Sequence, residues 1–216
     1  MHVKKIQVPF IYGVDSSDSL NTIALLLDES DKHDVEFSPW PQFPYRPGTT
    51  FVIASTKDAI LIKFYVQEEA LRAYYNKIND PVYNDSCVEF FIAFNEERNY
   101  YNLEFNCAGT GLVGFGASRD ERELLPFTSV KKIRTQTFIK STKSNGQSLI
   151  NWELTMMIPF EVFTFHSISS LKGQICSANF YKCGDELPKP HYLSWNNIIS
   201  DNPNFHLLEF FGKLKF

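Results

Sequence analysis

Three aromatic residues lie outside the alternating apolar runs of this chain, and their neighbours are of types that bind sugars. Tyr83 follows the run NDPV, Trp195 precedes two asparagines, and Trp40 stands between two prolines. An aromatic ring packs against the apolar C–H face of a sugar, while amide and carboxylate groups hydrogen-bond to its hydroxyls. The pattern therefore predicts carbohydrate binding, most directly through Tyr83 and Trp195. The alternative is that each ring packs on the end of the fold, and for Trp40 this alternative is favoured.

Two glutamates, Glu89 and Glu104, project from adjacent predicted strands and raise a second hypothesis, a hydrolase that acts on glycans. Such an enzyme holds two carboxyl groups roughly 5–9.5 Å apart across the scissile bond, one of them with a raised pKa. Carboxylates on the polar face of a strand are more often hydrogen-bonded or solvated. We therefore expect no catalysis, and the leading prediction is a non-catalytic protein.

Other sequence patterns lack the neighbouring residues or spacings that their chemistry requires. Residues 109–114 match G-x-G-x-x-G, but they lead into more glycine and serine rather than a helix, and no acid lies at 131–140. This indicates a bend between strands, not a dinucleotide site. Cys176, Cys183 and His191 have spacings that fit no compact zinc site. The four cysteines are expected to be reduced and structural, because they are too few for a disulfide framework and contain no C-x-x-C pair.

Composition excludes several partners. The chain has 216 residues, with 21 basic and 25 acidic side chains and no long basic run, so no nucleic acid partner is expected. No apolar stretch approaches the roughly 18 residues of a membrane span. The first residues, MHVKKIQVPFIYG, lack the apolar segment of a secretory signal. The sequence therefore predicts a cytoplasmic location for the chain as given, or an extracellular or periplasmic one if a leader was removed.

The elements that must position these residues are mainly strands. Apolar and polar residues alternate at 88–94, 101–105 and 152–158, and two runs, 50–54 and 59–66, flank a short turn as in a hairpin. Further strands are predicted at 137–141, 174–181 and 212–216. Aromatic residues make up 15% of the chain, which also favours β-structure.

Helical patterns are scarce. Residues 21–28 fit a short helix or an edge strand, residues 67–79 fit a helix or a loop, and 159–165 fit a single turn opened by proline. No repeat or linker divides the chain. The sequence therefore predicts an all-β fold: one antiparallel β-sandwich domain over 1–216, immunoglobulin-like or jelly-roll-like, with few short helices.

Two segments resemble a known family. PVYNDSCVEFFI at 81–92 is similar to the P-W-x-x-D-S-V-E-x-F-I motif of family 9 carbohydrate-binding modules. LSWN at 193–196, PNFH at 203–206 and FGKLKF at 211–216 resemble that family's closing S-W … F-G-x-L-x-F pattern. The similarity spans roughly residues 50–216 and is greatest to stand-alone bacterial members.

The resemblance implies a β-sandwich that holds a terminal sugar between two aromatic rings, with no catalysis. Tyr83 takes the first clamp position and Trp195 the second. Tyr83 stands where the family has Trp, and Cys87 is an added residue after the D-S pair. The side chains expected to line the site and contact the sugar hydroxyls are Arg72, Asp85, Asn102 and Asn179.

The implied partner is a mono- or oligosaccharide, and the implied role lies in carbohydrate catabolism. Family members carry structural calcium, so the resemblance implies a calcium ion here, although no linear ligand motif is present. A third hypothesis is an interaction protein whose exposed aromatic residues bind another protein. The sequence does not indicate the oligomeric state.

Overall fold

The computed structural model describes residues 3–144 and 147–216; residues 1–2 and 145–146, which the predicted domain includes, lie outside the described residues. The described residues form two β-sheets, and neither closes on itself. The strands are β1 (Lys5–Gln7), β2 (His33–Asp34), β3 (Gly48–Ser55), β4 (Ala59–Glu68), β5 (Cys87–Ala93), β6 (Tyr100–Asn106), β7 (Gly111–Gly116), β8 (Glu123–Leu124), β9 (Arg134–Ser144), β10 (Gln147–Pro159), β11 (Ile175–Cys183), β12 (Tyr192–Ser194) and β13 (Gly212–Lys215).

Within the described residues, the larger sheet has the order β1-β13-β11-β5-β6-β7-β8, with β12 also paired to β11. The smaller sheet has the order β2-β3-β4-β10-β9. The pairs are antiparallel except for β1 with β13, which run parallel. The predicted β-sandwich, its hairpin at β3–β4 and its strands are therefore confirmed.

The core between the two sheets follows from alternation along the strands. Phe90 of β5 and Phe180 of β11 face inward from the larger sheet, and their rings stack with centroids 4.9 Å apart. Phe51 of β3, from the smaller sheet, stacks on Phe180 at 3.6 Å. All three are fully buried. Since burying one Phe side chain contributes roughly 1.5–3 kcal/mol, this stack is a main link between the sheets.

The outer face of the larger sheet carries a second buried cluster. Phe91, Tyr100 and Tyr181 point away from the central core, yet none is more than 1% exposed. They are covered by Trp40 and by residues 198–211. As a result, β5 and β6 are buried on both faces. The sequence predicted a polar face for β6, and the structure shows that this polar face is covered.

Helices are few, as predicted. Residues 20–28 form helix α1 (Leu20–Asp28), because Ser19 caps it by accepting a hydrogen bond from the Thr22 N–H and because Ile23 and Leu27 pack on the smaller sheet. Helix α2 is one turn (Phe127–Val130), and short 3-10 turns lie at Val82–Asn84, Phe160–Val162 and Leu208–Phe210. No helix of the described residues is long and apolar enough to cross a membrane.

Two further segments discussed from the sequence, residues 67–79 and the glycine-rich segment 109–114, contain no helix. Strand β4 continues to Glu68, and residues 69–81 then form a loop without a helix. The glycine-rich segment is a turn followed by strand β7, with Gly109 at φ +82° between β6 and β7. A glycine suits this turn because other residues rarely adopt positive φ.

Candidate functional site

A cleft of about 350 Å³ opens on the outer face of the larger sheet. Strands β5, β6 and β11 form its floor. Its walls are formed by Tyr192 of β12, by the segment before β5 and by the segments that follow β7, β11 and β12. Its lining combines aromatic rings, carboxylates, two arginines and an imidazole: Tyr83, Glu89, Glu104, Arg119, Asp120, Arg122, Cys183, Asp185, Tyr192, Pro203, Asn204, Phe205 and His206.

The floor is built from two carboxylates and a thiol. Glu89 and Glu104 are direct cross-strand partners in the β5–β6 pairing, as the sequence predicted for neighbouring strands. The Cys183 thiol donates a hydrogen bond to Glu89 Oε1 at 3.1 Å. All three side chains are at most 3% exposed. Both carboxyl groups thus lie side by side on the floor of the cleft, whereas a glycosidase holds them on two sides of its substrate.

Arg122 organises one side of the cleft. Its Nη1 donates to Glu104 Oε1 at 2.8 Å and to His206 Nε2 at 3.2 Å. Because Nε2 accepts, the His206 proton lies on Nδ1, which donates to the Tyr100 hydroxyl at 2.8 Å. Burial and the nearby Arg122 charge lower the pKa of His206 to about 3, so its imidazole is neutral at neutral pH.

Burial raises the pKa of both floor glutamates. For Glu89 the pKa lies well above its usual value, because burial and the neighbouring Glu104 both disfavour its charge. For Glu104 burial outweighs the opposing Arg122 charge, so its pKa is also raised. Asn102 Nδ2 donates to Glu104 Oε1 at 2.9 Å. Among the described residues, neither Glu104 Oε2 nor Asn102 Oδ1 has a hydrogen-bond partner.

Asp185 stands on the loop after β11, where burial raises its pKa to about 6 against an opposing hydrogen bond from Tyr192. Its backbone N–H donates to the Tyr83 carbonyl at 3.1 Å. This bond ties the loop that carries Tyr83 to the loop that carries Asp185, so both walls of the cleft are held relative to β11.

The aromatic wall consists of Tyr192 and Phe205. Phe205 stacks on Tyr181 with ring centroids 4.2 Å apart. Trp40 supports both wall residues from behind, perpendicular to Tyr192 at 6.0 Å and tilted against Phe205 at 5.8 Å. Trp40 is 1% exposed, and its Nε1 donates to the Ser200 carbonyl at 3.0 Å. Its ring thus packs within the fold, the alternative favoured from the sequence, and it does not line the cleft.

The predicted clamp is not assembled. Tyr83 lines the cleft, but Trp195 is 3% exposed and lies in the core between the sheets. Its ring is perpendicular to Phe180 at 5.7 Å and to Phe51 at 6.1 Å. A Cβ atom on Gly212 would lie 2.3 Å from the Trp195 ring, which shows how tightly the ring is enclosed. Trp195 therefore packs in the core and does not line this cleft.

Arg72 and Asp85 anchor the loop that carries Tyr83. The fully buried Asp85 carboxylate pairs with the Arg72 guanidinium and accepts bonds from the Tyr74 and Tyr75 N–H groups, each at 3.0 Å, and from Asn106 Nδ2 at 2.9 Å. Neither Arg72 nor Asp85 is among the cleft-lining residues.

The two predicted asparagines are also inside the fold. Asn179 is fully buried; its side chain accepts from the Asn196 N–H at 2.9 Å and donates to the Asn196 carbonyl at 3.0 Å. Asn102 is fully buried as well and reaches the cleft only through its bond to Glu104.

Several lining residues were not predicted as sugar contacts. Most of them lie on loops, Cys183 and Tyr192 lie at strand ends, and the fold alone brings them together. A partial signal existed for Phe205 and His206, which belong to the PNFH segment. The residues missed are Arg119, Asp120, Arg122, Cys183, Asp185, Tyr192, Pro203, Asn204, Phe205 and His206.

The described residues bring three metal-ligand side chains together at Cys87, Glu89 and Cys183, whose ligand atoms all lie within 4.8 Å of one another. Calcium takes six to eight oxygen ligands, so a group with two sulfur atoms does not suit it. The calcium implied by the resemblance stays a prediction, and these three residues are not its site.

Comparisons with known proteins agree with this architecture. The family model described as carbohydrate-binding family 9 matches residues 20–216. A crystal structure described as a "putative carbohydrate-binding protein" from Bacteroides uniformis ATCC 8492 is 34% identical, covers 100% of both chains and has a TM-score of 0.90. A search of curated protein sequences gives no match.

Two further structures share the fold at 13% identity. Both are family 9 modules from Caldicellulosiruptor kristjanssonii, one in complex with glucose (TM-score 0.59) and one with cellotriose (TM-score 0.58). Each covers 98% of this chain, and this chain covers 95% and 93% of theirs. The resemblance seen in the sequence is thereby confirmed. The chain belongs to carbohydrate-binding family 9, and its relatives mark it as a non-catalytic protein.

Proposed function

We propose that this chain binds a mono- or oligosaccharide in the cleft on the outer face of the larger sheet. The observation that carries the proposal is the convergence there of aromatic rings with charged hydrogen-bonding groups. Tyr83 and Tyr192 supply flat apolar surface, and Arg122, Asp185 and Asn204 supply donors and acceptors for hydroxyls. A role in carbohydrate catabolism stays a prediction.

In this proposal Tyr192 takes the second clamp position, which was predicted for Trp195. Tyr192 is half-buried, lines the cleft and is held from behind by Trp40 and Phe43, whose ring lies 4.8 Å from it. A ring fixed in this way loses little conformational freedom when a ligand binds. Tyr83, at the opposite loop, is fixed through its backbone bond to Asp185.

The size of the cleft and the related complexes indicate which ligands to test first. A volume of about 350 Å³ is at the lower end of small-molecule sites, which suits one or two sugar rings. The Caldicellulosiruptor kristjanssonii modules hold glucose and cellotriose. Glucose, cellobiose and cellotriose therefore come first in the panel, followed by other hexoses and uronic acids.

The test is calorimetric titration of the wild-type chain and two variants with that panel. Tyr83→Ala and Tyr192→Ala should each lower affinity about tenfold or more, because a lost aromatic contact costs about 1.4 kcal/mol. Tyr12→Ala is the matched control, since Tyr12 is 83% exposed and outside the cleft. Unchanged affinity in both cleft variants, or no binding to any sugar by the wild type, would overturn the proposal. In the second case protein partners become the better hypothesis.

A further inference from the structure

We propose that Cys87, Cys183 and Glu89 form a binding site for a thiophilic divalent cation, zinc above all, at the floor of the cleft. The site does not depend on the proposed sugar binding, and its test needs no sugar.

Strand geometry places the three ligands together. Cys87 opens β5 and Cys183 closes β11, and the two are direct partners in the antiparallel register. Glu89 lies two residues along β5 from Cys87, so it projects from the same face. The three side chains therefore converge by the pairing of two strands, which is a rigid support for a metal site.

The distances suit a small tetrahedral ion. The three ligand atoms lie within 4.8 Å of one another, and Cys183 Sγ is 3.1 Å from Glu89 Oε1. Zinc binds thiolate sulfur at about 2.3 Å and carboxylate oxygen at about 2.0–2.2 Å, which separates neighbouring ligand atoms by about 3.5–3.8 Å. One separation is slightly shorter than this range and none exceeds 4.8 Å, so we expect small side-chain rotations to enclose the ion.

The ligand types select the metal. Thiolates favour zinc and similar soft or borderline ions, whereas calcium and magnesium favour oxygen. With two thiolates and one carboxylate, the ligands balance the ion's two positive charges and leave one negative charge. The Arg122 cation also faces the cleft, where it pairs with the adjacent Glu104.

Access and coordination number point to an open fourth position. Cys87 is fully buried, while Cys183 and Glu89 line the cleft. An ion held by these three residues would meet the cleft on its remaining side, where a water molecule completes the tetrahedron. Of the other two cysteines, neither lines the cleft.

The test uses the full chain, kept reduced with a phosphine and purified without metal. After equilibration with zinc sulfate and removal of free ion, the wild type should retain about one zinc per chain by elemental analysis. Cobalt chloride should give the intense near-ultraviolet absorption of thiolate-to-cobalt charge transfer. Zinc should also raise the unfolding temperature.

Cys87→Ser and Cys183→Ser should each abolish retained zinc and the charge-transfer band. Cys107→Ser is the control, because this buried thiol is outside the group and its hydrogen bond to the Arg72 carbonyl can be made by serine. Glu89→Gln should retain the band but bind zinc at least tenfold more weakly. No zinc uptake and no thiolate band in the wild type would overturn the proposal. Equal uptake by wild type, Cys183→Ser and Cys107→Ser would also overturn it, even if Cys87→Ser failed to fold.

Discussion

At the scale of single residues, the cleft depends on charges that are largely shielded from water. Glu104 is 2% exposed, and the charge that faces it belongs to Arg122, whose side chain is 15% exposed. A buried ion pair adds little net stability, but removing one partner is costly because the other charge is left without compensation. Arg122 therefore holds the Glu104 carboxylate of the cleft floor, in addition to the ligand contact proposed for it.

Arg122→Met should lower the free energy of unfolding by about 3 kcal/mol or more at neutral pH, the usual cost of breaking a buried pair. Urea unfolding measures the change. Arg119→Met is the control: Arg119 also lines the cleft, but its pair with Asp120 is exposed and should contribute less than about 1 kcal/mol. Similar losses in the two variants would contradict the role assigned to Arg122.

At the scale of elements, strand β12 and the segment after it bring one tryptophan inside and one tyrosine to the surface. Tyr192 at the start of β12 lines the cleft, and Trp195 just beyond its end fills the space between Phe51, Phe180 and Gly212. Both belong to one short segment, but Tyr192 contributes to the cleft and Trp195 to the packing of the core.

Trp195→Ala should lower the free energy of unfolding by about 3–5 kcal/mol, since it leaves a large cavity in the core. The folded fraction should keep its sugar affinity within about twofold, in contrast to Tyr192→Ala. Denaturant unfolding combined with calorimetry separates the two effects. A stable Trp195→Ala variant that has lost only its sugar affinity would restore Trp195 to the binding site.

At the scale of the whole molecule, the pH dependence of stability comes from buried groups whose pKa values differ between the folded and the unfolded chain. The pKa of His206 is lowered to about 3, and so is that of His191, which is fully buried beside Lys182. Below pH 6.5 the unfolded chain takes up protons at these imidazoles while the folded chain does not, so acid should favour unfolding. The raised pKa values of Glu89, Glu104 and Asp185 act in the opposite direction.

His206→Gln isolates one of these contributions. Between pH 7 and pH 5 the wild type should lose about 2 kcal/mol relative to this variant, because glutamine cannot take up a proton in the unfolded state. Urea unfolding of both proteins at the two pH values gives the difference. An identical pH dependence would show that His206 accepts its proton in the folded state, contrary to its burial beside Arg122.

Much of the fold could be predicted from the sequence, and less of the site. Alternation at 88–94 and 101–105 identifies neighbouring strands and correctly places Glu89 beside Glu104. Alternation does not show whether the second face of a strand is covered by loops, which is why the burial of Asn102 and Asn179 was missed. An aromatic residue next to asparagines has the same local sequence whether its ring points in or out, as Trp195 shows. Arg122 and His206 meet across 84 positions of the chain without any local motif.

The parallel pairing of β1 with β13 has a mechanical consequence. Lys5 lies beside Lys213 and Gln7 beside Lys215, so the described chain enters this pair at one end and leaves it at the other. A pull on the two ends would slide the strands lengthwise past each other. Bonds such as Lys213 N–H to the Lys4 carbonyl and Val8 N–H to the Lys215 carbonyl would then bear the load together instead of breaking one at a time. Tension between the two ends therefore acts along the direction in which the hydrogen bonds between β1 and β13 resist shear.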